Sequence, residues 1–141
     1  MKKILVSIIL YFFLSVNTFG HLQHYAKVNY LEYDLFRNND LIGSHKYNFE
    51  RKGDNLTINS TVNFKISKFG VDLYKYFAES TENYKKNNFK SFNSTTMQNK
   101  KNKYVKISLN LDKTKLKIDG SSYKGEADLN YMVGTWWNHE I

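Results

Sequence analysis

An eleven-residue stretch in which apolar and polar side chains alternate constrains the fold more than any other feature. Between Leu56 and Ile66 every second residue is apolar except Ser60, and the residues between them are Thr, Asn or Lys. Successive side chains of a strand point to opposite faces, whereas a helix would scatter these apolar residues around its circumference. The stretch therefore predicts a half-buried antiparallel strand.

The same alternation recurs along the chain. Residues 103–111 place Val105, Ile107, Leu109 and Leu111 on one face. Further strands are predicted over residues 28–36, 41–51, 71–84, 89–97 and 115–119. The connections are short and rich in Asn, Asp and Gly, which tolerate the positive φ of tight hairpins. Connections this short make successive strands antiparallel neighbours.

These elements predict an all-β fold, an antiparallel meander of about six to eight strands. Several of the predicted strands are much longer than the usual length of about 5–6 residues. Because long strands twist, we expect them to form a strongly curved sheet or an open barrel. No linker or internal repeat interrupts residues 21–141, so we predict a single domain there.

The first twenty residues predict an export signal. Lys2 and Lys3 precede an apolar run over residues 4–16, and Thr18 and Gly20 provide small residues before a cleavage site. The run is shorter than the roughly 20 residues that a membrane-spanning helix needs. No cysteine is present to carry a lipid. We therefore expect a chain released into the periplasm or the exterior, without a transmembrane anchor.

The amino-acid composition excludes several classes of function. The absence of cysteine excludes thiol nucleophiles and thiolate metal sites. The net charge is +8, but it comes from dispersed lysines, and Arg37 and Arg51 are the only arginines. A nucleic-acid binder would concentrate its charge and use more arginine, so we predict no nucleic-acid partner. No cofactor motif occurs in the sequence, and we predict no cofactor.

Short motifs along the predicted strands carry a family resemblance. They are Ile42-Gly43 with His45, Tyr47 and Phe49; Phe69-Gly70 with Leu73-Tyr74 and Tyr76; Glu82-Asn83-Tyr84 with Phe89; Ser94-Thr95-Thr96; and Thr135-Trp136-Trp137-Asn138. Together they resemble domain of unknown function 6134, a family of exported bacterial β-rich proteins. That family has no established activity, so the resemblance implies no catalytic residue.

The same family continues beyond its tryptophan motif, whereas this sequence stops at Ile141 soon after it. The resemblance therefore implies that the chain is truncated, and we expect the domain to be incomplete at its C-terminal end. More distantly, the expected curved sheet is similar in outline to periplasmic lipoprotein carriers.

The predicted hairpin over residues 71–97 is rich in aromatic side chains. They are Tyr74, Tyr76, Phe77, Tyr84, Phe89 and Phe92. Two interpretations stay open. The side chains pack as core and cross-strand pairs, or they line a groove for an acyl chain or other apolar ligand, with tyrosine hydroxyls at its rim. Packing is favoured by the residue types alone, because buried aromatic side chains normally just pack.

Two histidines, His21 and His24, stand at the predicted mature N-terminus. Cleavage after Gly20 would leave His21 first, with an amine and an imidazole that chelate copper or zinc. Cleavage one residue later would leave His24 third, which is another copper-binding arrangement. A terminal segment without metal is the favoured interpretation, because histidine ligation needs further defined partners.

For the remaining titratable residues that could serve in a functional site, we predict structural roles. Glu79 and Glu82 are three residues apart on a strand and should point to opposite faces, so we expect solvated or lysine-paired acids. His45 shares a face with Tyr47 and Phe49, where we expect a hydrogen-bonded structural histidine. His139-Glu140 lacks the spacing of a helical zinc motif.

No catalytic constellation emerges from the sequence. We predict an exported, non-enzymatic domain that binds an apolar or lipid-like ligand. One alternative is an outer-membrane β-barrel, since alternation also fits strands with lipid-facing apolar and inward polar residues. Another is a structural or interaction module of the cell envelope.

Overall fold

The computed structural model describes residues 27–130, which form one antiparallel sheet. Its strands are β1 (Tyr30–Arg37), β2 (Asp40–Lys52), β3 (Asn55–Lys68), β4 (Val71–Lys85), β5 (Asn88–Gln98), β6 (Lys101–Leu109), β7 (Lys115–Gly120) and β8 (Lys124–Asp128). Each strand pairs with the next in chain order, which confirms the predicted all-β meander. The two outermost strands of these described residues do not pair with each other, so the sheet is open. Its curvature stays a prediction.

Tight turns with positive φ connect most of these strands. Both residues have positive φ in the turns Asn38-Asn39, Phe69-Gly70, Lys86-Asn87 and Asn99-Lys100. This is the geometry of type I′ turns, whose twist matches that of the flanking strands. Three of these turns use asparagine as predicted, but the fourth holds the bulky Phe69 at a φ of 52°. Bulky side chains rarely adopt this conformation.

One face of the sheet carries the core. Tyr47 on β2 pairs with Ser60 on β3, and Phe49 pairs with Ile58. Cross-strand partners point to the same face, and the side chains of Tyr47, Phe49 and Ile58 form a buried cluster there. Val28, Leu31, Leu56 and Tyr84 pack against this cluster. We call this side of the sheet the apolar face.

The sixth strand is shorter than its alternation predicts. We expected Leu111 to continue the apolar face after Leu109, but β6 ends at Leu109 and Leu111 is fully exposed. The side chain of Asn110 explains the difference, because its Oδ1 accepts hydrogen bonds from the backbone N–H groups of Thr114 and Lys115. These bonds close a loop and end the strand before Leu111.

The third and fourth strands continue beyond their pairing with both neighbours. Pairing of β2 with β3 begins at Gly43 and Phe64, and pairing of β4 with β5 begins at Tyr76 and Gln98. Residues 65–75 therefore pair as strands only with each other. We call them the distal hairpin. At about 3.3 Å per residue, its four residues beyond Phe64 on β3 span about 13 Å.

Among residues 27–130 there is no helix with the length and apolar character that crossing a membrane requires.

Candidate functional site

The registers sort the six aromatic residues predicted for a groove onto two faces. Five of them lie on the apolar face, in line with its buried residues: Tyr74, Tyr76, Tyr84, Phe89 and Phe92. Phe77 pairs with Asn63 and Met97 and lies on the opposite face. The hairpin is therefore aromatic on both sides, and Phe77 is separated from the other five.

The five residues on the apolar face do not form one continuous wall. Tyr74 and Tyr76 stack on Phe64, with ring centroids 5.7 and 5.1 Å away. Tyr84 packs edge-on against Phe89 with centroids 5.9 Å apart, nearer the β4–β5 turn. These contacts are the core and cross-strand pairs that the residue types favour.

Between these aromatic groups the apolar face contains a pocket of about 210 Å³. Tyr47, Val62, Tyr76, Ala78 and Phe92 give it apolar walls, and its polar lining comes from His45, Ser60, Ser80, Glu82 and Ser94. Glu79, between Ala78 and Ser80 on β4, also borders the pocket, although its side chain is exposed. Pockets that bind small molecules combine mostly apolar walls with a few convergent polar groups. The lining comes from β2, β3, β4 and β5, so the central strands of the sheet position every side chain of the pocket.

His45 forms one half of the polar lining. Its Nε2 is 2.8 Å from Ser60 Oγ, and its Nδ1 is 3.5 Å from the hydroxyl of Tyr47. The ring is 6% exposed and lies 4.2 Å from the Tyr47 ring, centroid to centroid. Burial lowers the pKa of His45, because it penalises the charged imidazolium. The expected hydrogen-bonded histidine is confirmed, and its neutral form is favoured.

Glu82 forms the other half, and our expectation for it was wrong. We expected a solvated or lysine-paired acid, but the side chain is 1% exposed, and the Tyr84 hydroxyl donates to its Oε2 at 3.0 Å. Its cross-strand partners are Ile58 on one side and Phe92 on the other, so apolar side chains flank the buried carboxyl group. Glu79 is exposed on the opposite face, as the strand spacing predicts.

The pair of Ser60 and His45 raises the question of nucleophilic chemistry, which needs more than a serine near a base. Acyl transfer also uses backbone N–H groups to stabilise the developing oxyanion. Ser60 lies in the middle of β3, where neighbouring strands pair on both sides. The backbone N–H groups around it are therefore used by the sheet. What this arrangement offers a ligand is hydrogen-bonding side chains against aromatic walls.

Several predicted features lie outside the described residues. These are the export signal, the metal-binding candidates His21 and His24, the Thr135-Trp136-Trp137-Asn138 motif and His139-Glu140. Within residues 27–130, no group of three or more histidine, aspartate or glutamate side chains is arranged to hold a metal ion.

The sequence contains a signal for the polar lining that our interpretation did not use. Ser80 and Glu82 are in phase with Tyr74, Tyr76 and Tyr84, since all five are even-numbered residues of one strand. Ser60 is in phase with the apolar residues of β3, and Ser94 with Phe92 of β5. Polar residues that replace apolar ones in a strand's buried phase mark a polar site on a buried face.

Comparison with protein families matches residues 33–141 to the family described as "Domain of unknown function (DUF6134)". No curated protein and no solved structure matches the chain.

Proposed function

The chain belongs to the DUF6134 family, and we propose that this member binds a small amphipathic ligand in the pocket of its apolar face. The observation that carries the proposal is the composition of the pocket. Buried hydrogen-bonding side chains of β2, β3 and β4 stand beside aromatic walls of β4 and β5 in one concave site.

The walls define the apolar part of the ligand. Tyr76 and Phe92 lie on adjacent strands and both line the pocket. Aromatic side chains offer large, rigid contact surfaces to acyl chains and rings. Pockets for drug-sized molecules have about 300–1,000 Å³, so the 210 Å³ here fits a small molecule or one end of a longer chain. A fatty-acyl segment is the ligand class that matches both properties.

The polar lining defines the other part of the ligand. His45 with Ser60, and Glu82 with Tyr84, place hydrogen-bonding groups at the same site. Polar side chains that converge on one concave site can exchange hydrogen bonds with a ligand, so these residues favour a ligand that carries its own hydrogen-bonding group. We expect a hydroxyl, amide or protonated acid at one end of the acyl segment.

The predicted export signal over residues 1–20 supports a site of action outside the cytoplasm. In that setting, an amphipathic ligand would come from the cell envelope or from the surroundings of the cell.

Filling the pocket should weaken binding. Ser94 lines the pocket from β5, and Ser94→Leu would place an aliphatic side chain inside it. Titration of the chain, purified after export, with dansyl-labelled undecanoic acid should show binding by fluorescence. We expect the variant to bind about tenfold more weakly or worse, the size of effect that follows from altered pocket contacts.

Thr95→Leu is the matched control, because the neighbouring Thr95 is exposed on the opposite face. It should bind the probe as the natural sequence does. Native mass spectrometry of the purified chain supplies a second readout, a small molecule retained by the natural sequence and lost from Ser94→Leu. Equal probe binding by the two variants, or a natural chain that binds no probe and retains no molecule, would overturn the proposal.

A further inference from the structure

Large apolar side chains are exposed along one of the two edges of the sheet that the strand ends and their turns form, as distinct from its outer strands. In an antiparallel meander every second turn lies at the same edge, so the β1–β2, β3–β4 and β5–β6 turns lie together. The exposed side chains in or beside these three turns are Phe36, Leu41, Phe69, Val71, Leu73 and Met97. Exposed apolar groups that cluster in this way mark interaction surfaces, whereas isolated ones need no explanation.

Phe69 is the clearest member of this cluster. It is 94% exposed at the tip of the distal hairpin, and its φ of 52° is unfavourable for a bulky side chain. Strained backbone of this kind is found preferentially at functional sites. The ring gains little from packing on the chain itself, so its position favours contact with something outside the protein.

The same edge is basic. Lys68 lies over the Phe69 ring at 5.3 Å, and Lys100, Lys101 and Lys103 follow one another at the β5–β6 turn. Asp72 is the acid of the distal hairpin, and its carboxylate is already paired with Lys65 at 3.4 Å and Lys75 at 2.7 Å. The lysines of the distal hairpin and of the β5–β6 turn thus leave an excess of positive charge around exposed aromatic and aliphatic groups.

Hydrogen bonds join the distal hairpin and the β5–β6 turn. The side-chain oxygen of Asn99 accepts a hydrogen bond from the backbone N–H of Lys75 at 2.8 Å. The backbone N–H of Asn99 donates to the carbonyl of Lys75 at 3.0 Å. The β5–β6 turn with its lysines is therefore fixed against the base of the distal hairpin.

We propose that this edge docks on an anionic lipid bilayer, with Phe69 inserted between the headgroups and the lysines facing the lipid phosphates. Interfacial elements bury their apolar side about 5–10 Å deep, and the distal hairpin is long enough to reach this depth. Anionic headgroups attract nearby lysines and complement the charge of this edge. The proposal goes beyond ligand binding and does not depend on the pocket, because the pocket lies on the central strands.

Phe69→Asn separates membrane binding from folding. Asn-Gly is the preferred sequence for a type I′ turn, so this variant should fold at least as well as the natural chain. In co-sedimentation with phosphatidylglycerol–phosphatidylcholine vesicles, we expect its affinity to fall about tenfold, since interfacial binding scales with buried apolar area. Binding of the natural chain should weaken with added salt and on vesicles of phosphatidylcholine alone.

Leu111→Asn is the matched control, because Leu111 is fully exposed in the β6–β7 loop at the opposite edge. It should sediment with vesicles as the natural chain does. All three chains are compared after export and processing, with their N-termini verified by mass. The proposal is overturned if the natural chain does not bind anionic vesicles, or if Phe69→Asn binds them as tightly as Leu111→Asn.

Discussion

The most buried acid and the most exposed aromatic residue among residues 27–130 belong to the same hairpin. Glu82 of β4 is 1% exposed, whereas Phe69 at the β3–β4 turn is 94% exposed. Residue type alone would predict the reverse. The difference lies in the neighbouring strands, because the centre of the hairpin is flanked by β2 and β5 and its distal part pairs with neither.

This contrast shows what determines burial in a single-layer sheet. A side chain on such a sheet contacts the side chains of adjacent strands on the same face, and these contribute to its burial. Ile58 has Phe49 and Glu82 as cross-strand partners and is 0% exposed. Ile66 has only Tyr74 as a partner. The flanked centre can therefore hold buried polar groups and a pocket, while the distal hairpin presents its apolar groups outward.

The largest expected effect comes from comparing the same substitution, isoleucine to alanine, in the flanked centre of β3 and in its distal part. Ile58→Ala should lower the free energy of unfolding by about 3 kcal/mol, because it leaves a cavity in the core. Ile66→Ala in the distal hairpin should cost about 1 kcal/mol or less, since the site is partly solvated. Urea denaturation measures both. Equal losses would show that flanking strands do not control burial.

The next largest loss of stability is expected at the boundary between the flanked centre and the distal hairpin. Gly43 is the first residue of β2 that pairs with β3, opposite Phe64. A Cβ at this position would overlap the carbonyl oxygen of Asn63 and lie 2.6 Å from the Cα of Phe64. Gly43→Ala should therefore lower the free energy of unfolding by about 2 kcal/mol through overpacking. Ser44→Ala next to it should have little effect, and a tolerated Gly43→Ala would place the boundary elsewhere.

A smaller effect is expected in the pH dependence of stability, through His45 in the flanked centre. Burial lowers the pKa of His45 in the folded protein below the value of about 6.5 in the unfolded chain. The unfolded chain therefore takes up this proton at higher pH than the folded chain does. Stability from the neutral histidine is complete above about pH 6.5 and is lost as the pH falls toward the folded-state pKa, by at most about 1.4 kcal/mol per pH unit.

His45→Gln should remove this loss between about pH 6.5 and 5, as seen when unfolding curves of the variant and the natural chain are compared at each pH. The histidines outside the described residues are present in both chains and cancel in the difference. Parallel pH profiles for the two chains would contradict a neutral, buried His45.

Much of the fold could be predicted because alternation and turn chemistry are local signals. β3 was predicted over residues 56–66 and is found over Asn55–Lys68. The polar pocket was harder to predict, because the burial of Glu82 depends on Ile58 and Phe92 on neighbouring strands. The exposure of Leu111 likewise follows from a loop closed by Asn110, which the alternation does not encode.

The most direct test of two separate binding regions follows backbone amide signals by NMR during two titrations. Decanoic acid should shift the amides of Ser60, Ala78 and Ser94 and leave Gly70 unchanged. Anionic bicelles should shift Phe69, Gly70 and Val71 and leave Ser60 unchanged. Shifts of the same set of amides in both titrations, or pocket amides that decanoic acid leaves unchanged, would contradict two separate binding regions.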